Sequence, residues 1–278
     1  MQNFSKLLLI IFTESFRTHQ MDNKEDLNEN QQEDKNDDHT SHILKRISEC
    51  KKTQEKIKPI LNEEFKPALR GRIHQIAFYK TIVFIFFYLG VSYYYYMFKL
   101  GIMIHLLSQL ALYGISSAYH TIKWKTERMR RFFQRLDHTS IFLLISGTQT
   151  SVFITLLPEV KRSIIFLITT WSITIFGIGK IFLFTNIVEF VDVLIYIVHG
   201  LAVIPFFKLL KQVLRPLDWV LFIMGGAFYI VGGIVFGLHY PNPIPTIFGY
   251  HEVFHVLTVL AEMCFMIPMC VRYIKALK

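Results

Sequence analysis

The stretch Phe248-Gly249-Tyr250-His251-Glu252-Val253-Phe254-His255 opens the last long apolar segment of a chain of 278 residues. His251 and His255 stand four apart, so on a helix they share one face, one turn above the other. Two imidazoles at that spacing can bind one metal ion. Two further stretches carry matching chemistry. Ser116-Ser117-Ala118-Tyr119-His120 again sets two polar groups four apart, and Leu136-Asp137-His138 adds a carboxylate. All three stretches adjoin apolar runs, where ionisable side chains are costly and mark functional hypotheses by default.

The elements that must position them are membrane helices. The chain is 52% hydrophobic and 15% aromatic, with a mean hydropathy of +0.36. That excludes an ordinary soluble domain. The net charge of +9 sits in bases at the ends of apolar runs, which suits lipid headgroups and not nucleic acid. Seven helices are expected at roughly 76–98, 100–121, 137–157, 162–184, 189–209, 217–238 and 250–273, each near the length of about 20 residues that a bilayer requires. The expected fold is thus an all-α membrane protein, a seven-transmembrane helix bundle. Lys99 turns the first span into the second; prolines at 158, 216, 241, 243 and 245 break others.

Arg70 and Arg72 precede the first span. Lys123, Lys125, Arg128, Arg130, Arg131 and Arg135 fill the loop between the second and third. The positive-inside rule puts this face, and the N-terminus, in the cytosol. Parity adds a statement independent of orientation. In seven antiparallel spans, the end of span two and the starts of spans three and seven share one face. His120, His251 and His255 can therefore converge on one ion, with Asp137 close by.

Three neutral imidazoles with one open position are the usual catalytic zinc arrangement. Zinc acidifies water and polarises carbonyls. A carboxylate beyond the ligands, here Asp137, would orient or deprotonate that water. Ser116 would hydrogen-bond the water or a substrate carbonyl. A competing reading lies in the same letters. His251-Glu252-Val253-Phe254-His255 matches H-E-x-x-H, the zinc-protease helix with Glu252 as base. It leaves Asp137 and Ser116 without a role.

Arg70-Gly71-Arg72-Ile73-His74-Gln75, Ser116 to His120, Arg135-Leu136-Asp137-His138 running into Ile145-Ser146-Gly147-Thr148, and Phe248 to His255 together resemble the hemolysin III family. That family is grouped with the progestin and adiponectin receptors (PAQR). The likeness runs from about residue 66 to 275 and is greatest to the bacterial-type branch. It implies a seven-helix bundle with the N-terminus inside and zinc near the cytosolic face. Its metal histidines map onto His120, His251 and His255, its aspartate onto Asp137 and its serine onto Ser116. Members are described as receptors, as pore-forming hemolysins and as relatives of alkaline ceramidases. Ser151 stands where the family usually has proline, and Ala261-Glu262-Met263-Cys264 replaces a stretch of small residues and a further histidine.

Three functions follow. The first is a zinc-dependent intramembrane hydrolase of a lipid amide, with Asp137 as base and Ser116 at the oxyanion. The second is a receptor with structural zinc, shifted by a bound lipid, such as a sphingolipid or fatty acid, or by an extracellular ligand. The third is a hemolysin-like pore, which the scarcity of polar residues deep in the spans disfavours. Membrane lipids are the expected partners.

The remaining features bear on organisation. Residues 1–65 form a polar cytosolic tail. It is acidic and disordered over 19–40, then basic and weakly amphipathic. Its short apolar run, Leu7 to Phe12, reads as a frayed end. Residues 66–278 form the seven-span domain. Cys50, Cys264 and Cys270 lack disulfide or zinc-ribbon spacing and read as free thiols. Glu262 is expected either to line a cavity below the metal or to be a protonated or histidine-paired carboxylate within the bundle, with His199 a candidate partner. Lys180 should snorkel, and Glu189 and Asp192 should solvate a helix start. Gly225-Gly226 and Gly232-Gly233 permit close helix packing. Tyr93 to Tyr96 suit an interfacial aromatic belt.

Overall fold

An apolar chain in a bilayer must satisfy its backbone polar groups internally, and helices do this within each segment. The computed structural model describes residues 67–156, 160–184 and 189–277, with side chains left undescribed at 160–163 and 189–190. The expected polar tail, its amphipathic stretch and Cys50 lie outside the described residues. The helices are α1 Arg72–Tyr94, α2 Leu100–Thr121, α3 Glu127–Leu156, α4 Val160–Leu183, α5 Glu189–Leu201, α6 Phe207–Val213, α7 Pro216–Leu238 and α8 Tyr250–Ala276. Among the described residues there is no β-strand, only one isolated bridge between Ile244 and Phe248. Seven segments are long and apolar enough to cross a membrane. The fold is a seven-helix membrane bundle, as expected.

Three boundaries differ from the expectation, each for a local reason. α3 begins at Glu127, ten residues early, so most of the basic loop is helical. Glu127 pairs there with Arg130 at 2.6 Å and Arg131 at 3.5 Å, one turn on. The fifth span is not one helix. Pro205 lies in a short 3-10 turn, Ile204–Phe206, between α5 and α6; its ring cannot continue an α-helix interior. α1 starts at Arg72 and stops at Tyr94, which brings His74 inside the helix.

Large apolar side chains such as Phe86, Phe87, Ile175, Phe176 and Ile223 point outward, where lipid would meet them. Tyr93 to Tyr96 are exposed at the end of α1, in keeping with an interfacial belt. Polar groups turn inward. Lys180 does not snorkel: it is buried in an ion pair with Asp192, which likewise is not solvated. In hydrocarbon, two charges one helix apart reach each other more readily than either reaches water. Cys264 and Cys270 are free thiols.

α3 is the most enclosed span. At the face opposite the candidate site, Tyr273 ties α8 to the α1–α2 turn. Its hydroxyl donates to the Met97 carbonyl at 2.8 Å and meets Ser92 Oγ at 2.9 Å. Above this, Ile102, Leu106, Phe153, Phe166 and Met269 form a closely packed apolar core. α2 crosses α3 closely at Gly147, where an added Cβ would overlap Ser108. Gly147→Val should therefore overpack this crossing, costing about 1–3 kcal/mol. The expected result is a lower melting temperature in detergent, read by fluorescence-detected size exclusion after heating. An unchanged melting curve would contradict the tight crossing.

Candidate metal centre

The start of α8 is built to be rigid. Glu252, in its first turn and fully buried, accepts the Gly249 amide N–H at 2.8 Å. A carboxylate satisfies orphan amides and the helix dipole at this position. Glu252 also forms an ion pair with Arg70, from the segment before α1. Two backbone bonds run alongside, from Ala68 N to Thr246 O at 3.0 Å and from Leu69 N to Ile247 O at 3.1 Å. Gly71 then turns the chain with φ +77, a conformation that favours glycine, and a Cβ there would stand 2.7 Å from the His120 Cβ. The pre-α1 segment is thereby laid directly against the histidines.

His120 ends α2, and His251 and His255 lie in the first turns of α8. One ligand atom from each lies within 4.8 Å of the other two. The Nε2 atoms of His120 and His251 are 3.1 Å apart. Their rings meet edge to face, with centroids 4.6 Å apart. A tetrahedral zinc with ordinary zinc–nitrogen bonds separates its nitrogens by about 3.3 Å. His255 Nδ1 is buried without a hydrogen-bond partner. Three imidazoles at this spacing, with spare ring nitrogens, fit a zinc-sized ion.

Asp137, buried at the membrane entry of α3, has Oδ2 3.5 Å from His120 Nε2. Ser116, one turn before His120, is buried beside the same carboxylate. The three polar stretches singled out in the sequence therefore meet at one end of the bundle. A cavity of about 540 Å³ opens there, with His120, Asp137, Ser116, His251 and His255 in its wall. That volume suits a small-molecule site, for which about 300–1,000 Å³ is usual. Away from these residues its wall is dominated by apolar side chains.

His74 is a site residue that the sequence alone places in the basic collar before the first span. It is 2% exposed, its ring stacks on His255 at 3.7 Å, and neither ring nitrogen has a hydrogen-bond partner. A lone histidine beside arginines carries no spacing signal; only the early start of α1 turns it inward. Glu262 does pair with a histidine, but with His105 at 3.1 Å and not with His199. His199 instead meets Thr170 Oγ1 at 2.9 Å and Ser146 Oγ at 3.2 Å.

The chain has recognisable relatives. The family model described as Haemolysin-III related matches residues 62–266. Hemolysin-3 of Bacillus cereus is 34% identical over 131 residues, which is 46% of this chain and 58% of that protein. A Hemolysin-3 homolog of Bacillus subtilis is 30% identical over 131 residues, 46% of this chain and 59% of the homolog. The ADIPOR-like receptor IZH2 of Saccharomyces cerevisiae is 27% identical over 177 residues, 54% of this chain and 52% of the receptor. The chain thus spans somewhat more than half the length of the curated relatives it matches.

The engagement of Glu252 bears on the zinc-protease reading. Its carboxylate is already held by the Gly249 amide and by Arg70, so it is not free to serve as a base. Glu252→Gln should break the ion pair and lower stability by about 3 kcal/mol, seen as a lower melting temperature. Metal content per folded chain should stay at the wild-type level. A variant of unchanged stability that loses metal or hydrolytic activity would return Glu252 to the reacting centre.

Proposed function

This chain belongs to the Haemolysin-III related family, and on that premise we propose that it is a zinc-dependent intramembrane hydrolase of a lipid amide. The observation that carries the reading is the convergence of three imidazoles and a buried carboxylate on the mouth of a largely apolar cavity. His120, His251 and His255 would hold the metal. Zinc bound there would supply a Lewis acid, which polarises a carbonyl and acidifies water.

The chain's own groups supply the rest. The apolar wall takes an acyl chain and holds the amide carbonyl at the mouth, which is a gain from positioning. Asp137 receives a proton from the attacking water and delivers it to the amide nitrogen as the carbon–nitrogen bond breaks. Amide plus water thus gives acid plus amine, with the carboxylate regenerated. Ser116 orients the Asp137 carboxylate and can donate a hydrogen bond toward the carbonyl oxygen. The basic residues of the site face, Arg70, Arg72, Arg128, Arg130, Arg131 and Arg135 among them, argue for a cytosolic site and a cytosolic N-terminus. A sphingolipid or fatty-acid amide suits the cavity's chemistry.

The likeness to the yeast ADIPOR-like receptor favours a second reading, a receptor in which the same zinc is structural. One experiment separates the two. Zinc per chain is measured by mass spectrometry on detergent-purified protein, beside hydrolysis of a fluorescent ceramide. Wild type should carry about one zinc, as a single three-histidine site requires. His251→Ala/His255→Ala should lose both metal and activity. Asp137→Asn should keep most of the metal and lose at least about a hundredfold in rate, the scale of a lost proton-transfer group. Zinc retained with no hydrolysis of any lipid amide by wild type would favour the receptor. Metal-free, well-folded wild type would overturn both.

A further inference from the structure

We propose that the cavity contains a second polar station, formed by Thr148 and Tyr229 over Glu262, that binds a hydroxyl group carried midway along a lipid acyl chain. This rests on the reading that a lipid occupies the cavity, but not on hydrolysis.

Thr148 of α3 and Tyr229 of α7 both line the cavity. Both reach the same buried oxygen. Thr148 Oγ1 lies 3.2 Å from Glu262 Oε1, and the Tyr229 hydroxyl donates to that atom. The other carboxylate oxygen is 3.1 Å from His105 Nε2 and 3.3 Å from Gln109 Nε2. None of these five residues is a member of the candidate metal centre.

Proton accounting decides what the station can bind. A hydroxyl has one proton to donate and lone pairs to accept with. The Tyr229 proton is committed to Glu262. The Thr148 proton is committed to the Leu144 carbonyl at 2.8 Å or to Glu262. Toward the cavity, both oxygens therefore act as acceptors. The matching ligand group is a donor. A ligand hydroxyl fits; a ketone or ether, which only accepts, does not. The neighbouring wall includes Leu144, Ile145 and Phe265, and a ligand hydroxyl held against those side chains would be buried without a partner.

The depth fixes where that hydroxyl must sit. From His255 to Glu262 is seven residues of α8, or about 10 Å of helix. An extended chain advances about 1.2 Å per bond. The hydroxyl therefore lies about eight bonds from the polar end of a lipid held at the histidines, near the middle of a long acyl chain. Beyond the station the cavity continues between Val152, Phe153 and Leu210, which would take the remaining methylenes.

The test uses the detergent-purified full chain and three octadecanoic acids: unsubstituted, with a mid-chain hydroxyl, and with a mid-chain ketone. Binding is followed by quenching of tryptophan fluorescence, since Trp219 and Trp124 line the cavity. The hydroxy acid should bind about three- to tenfold more tightly than the unsubstituted acid, the value of one neutral hydrogen bond. The keto acid should gain nothing. Tyr229→Phe and Thr148→Val should each reduce the hydroxy-acid preference. Glu262→Gln still accepts the Tyr229 proton and should retain it, which keeps the test open if either other variant fails to fold. Equal binding of all three acids by wild type overturns the station and leaves the lipid-filled cavity standing. An equal gain for the keto acid, or a preference that survives both hydroxyl deletions, also overturns it. Binding of no acid overturns the lipid-filled cavity and the station together.

Discussion

A polar group left unpaired in hydrocarbon costs several kcal/mol, and this constraint organises the interior of the bundle. Many polar side chains of the spans gather into clusters with partners from other helices. Glu262 draws in His105, Gln109, Thr148 and Tyr229 from three neighbouring spans. His199 is met by Ser146 and Thr170, and Gln149 donates to its carbonyl at 2.9 Å. Lys180 and Asp192 neutralise each other. Such contacts fix the rotation of each helix about its axis, which apolar packing in lipid does weakly because lipid tails are as apolar as leucine.

Against that background the exceptions are informative. His74 has two buried ring nitrogens without partners, His255 has one, and the Tyr113 hydroxyl beside His74 has none. They lie together around the three-histidine group. Four other buried atoms among the described residues, His105 Nδ1, His199 Nδ1, Thr139 Oγ1 and Thr155 Oγ1, also lack partners; here four lie on rings close to one another, while the surrounding backbone is locked through Arg70, Glu252 and Gly71. A site that must present nitrogen lone pairs to a ligand has to withhold other partners from them. Rigid support with unsatisfied donors and acceptors is the pattern expected of a preorganised site.

Much of this was legible from spacing and parity. His251 and His255 are fixed on one face by a four-residue interval, and antiparallel spans carry His120, Ser116 and Asp137 to the same end whatever the orientation. What escaped depends on contacts that periodicity does not encode. His74 looked like a member of a basic collar because α1 was expected to begin after it. The sequence offers His199 as a partner for Glu262, yet helix rotation turns His105 toward it. Lys180 was expected at the headgroups and Asp192 in water, because neither residue alone reveals the other across two helices. The 3-10 turn at Pro205 was hidden in an otherwise continuous apolar run. In each case the missing information was the rotation or exact end of a helix, which tertiary packing sets.

The location of the candidate centre suits the hydrolysis proposed for it. Water is scarce at the bilayer midplane, so a site that consumes water belongs near a span end, where His120, Asp137 and His251 stand. A lipid chain belongs in hydrocarbon, and the cavity runs from those residues into the apolar interior between α3, α5, α7 and α8. One end would therefore meet water and the other methylenes, and the scissile group of the proposed amphipathic substrate would sit at their boundary. A wide aqueous pore would need polar walls along its full length. Here the polar groups past the mouth are drawn into buried clusters, and the far end is packed by Ile102, Leu106, Phe153 and Met269. The same division between wet mouth and greasy shaft that suits lipid cleavage is what makes a conducting channel the least fitting of the three functions.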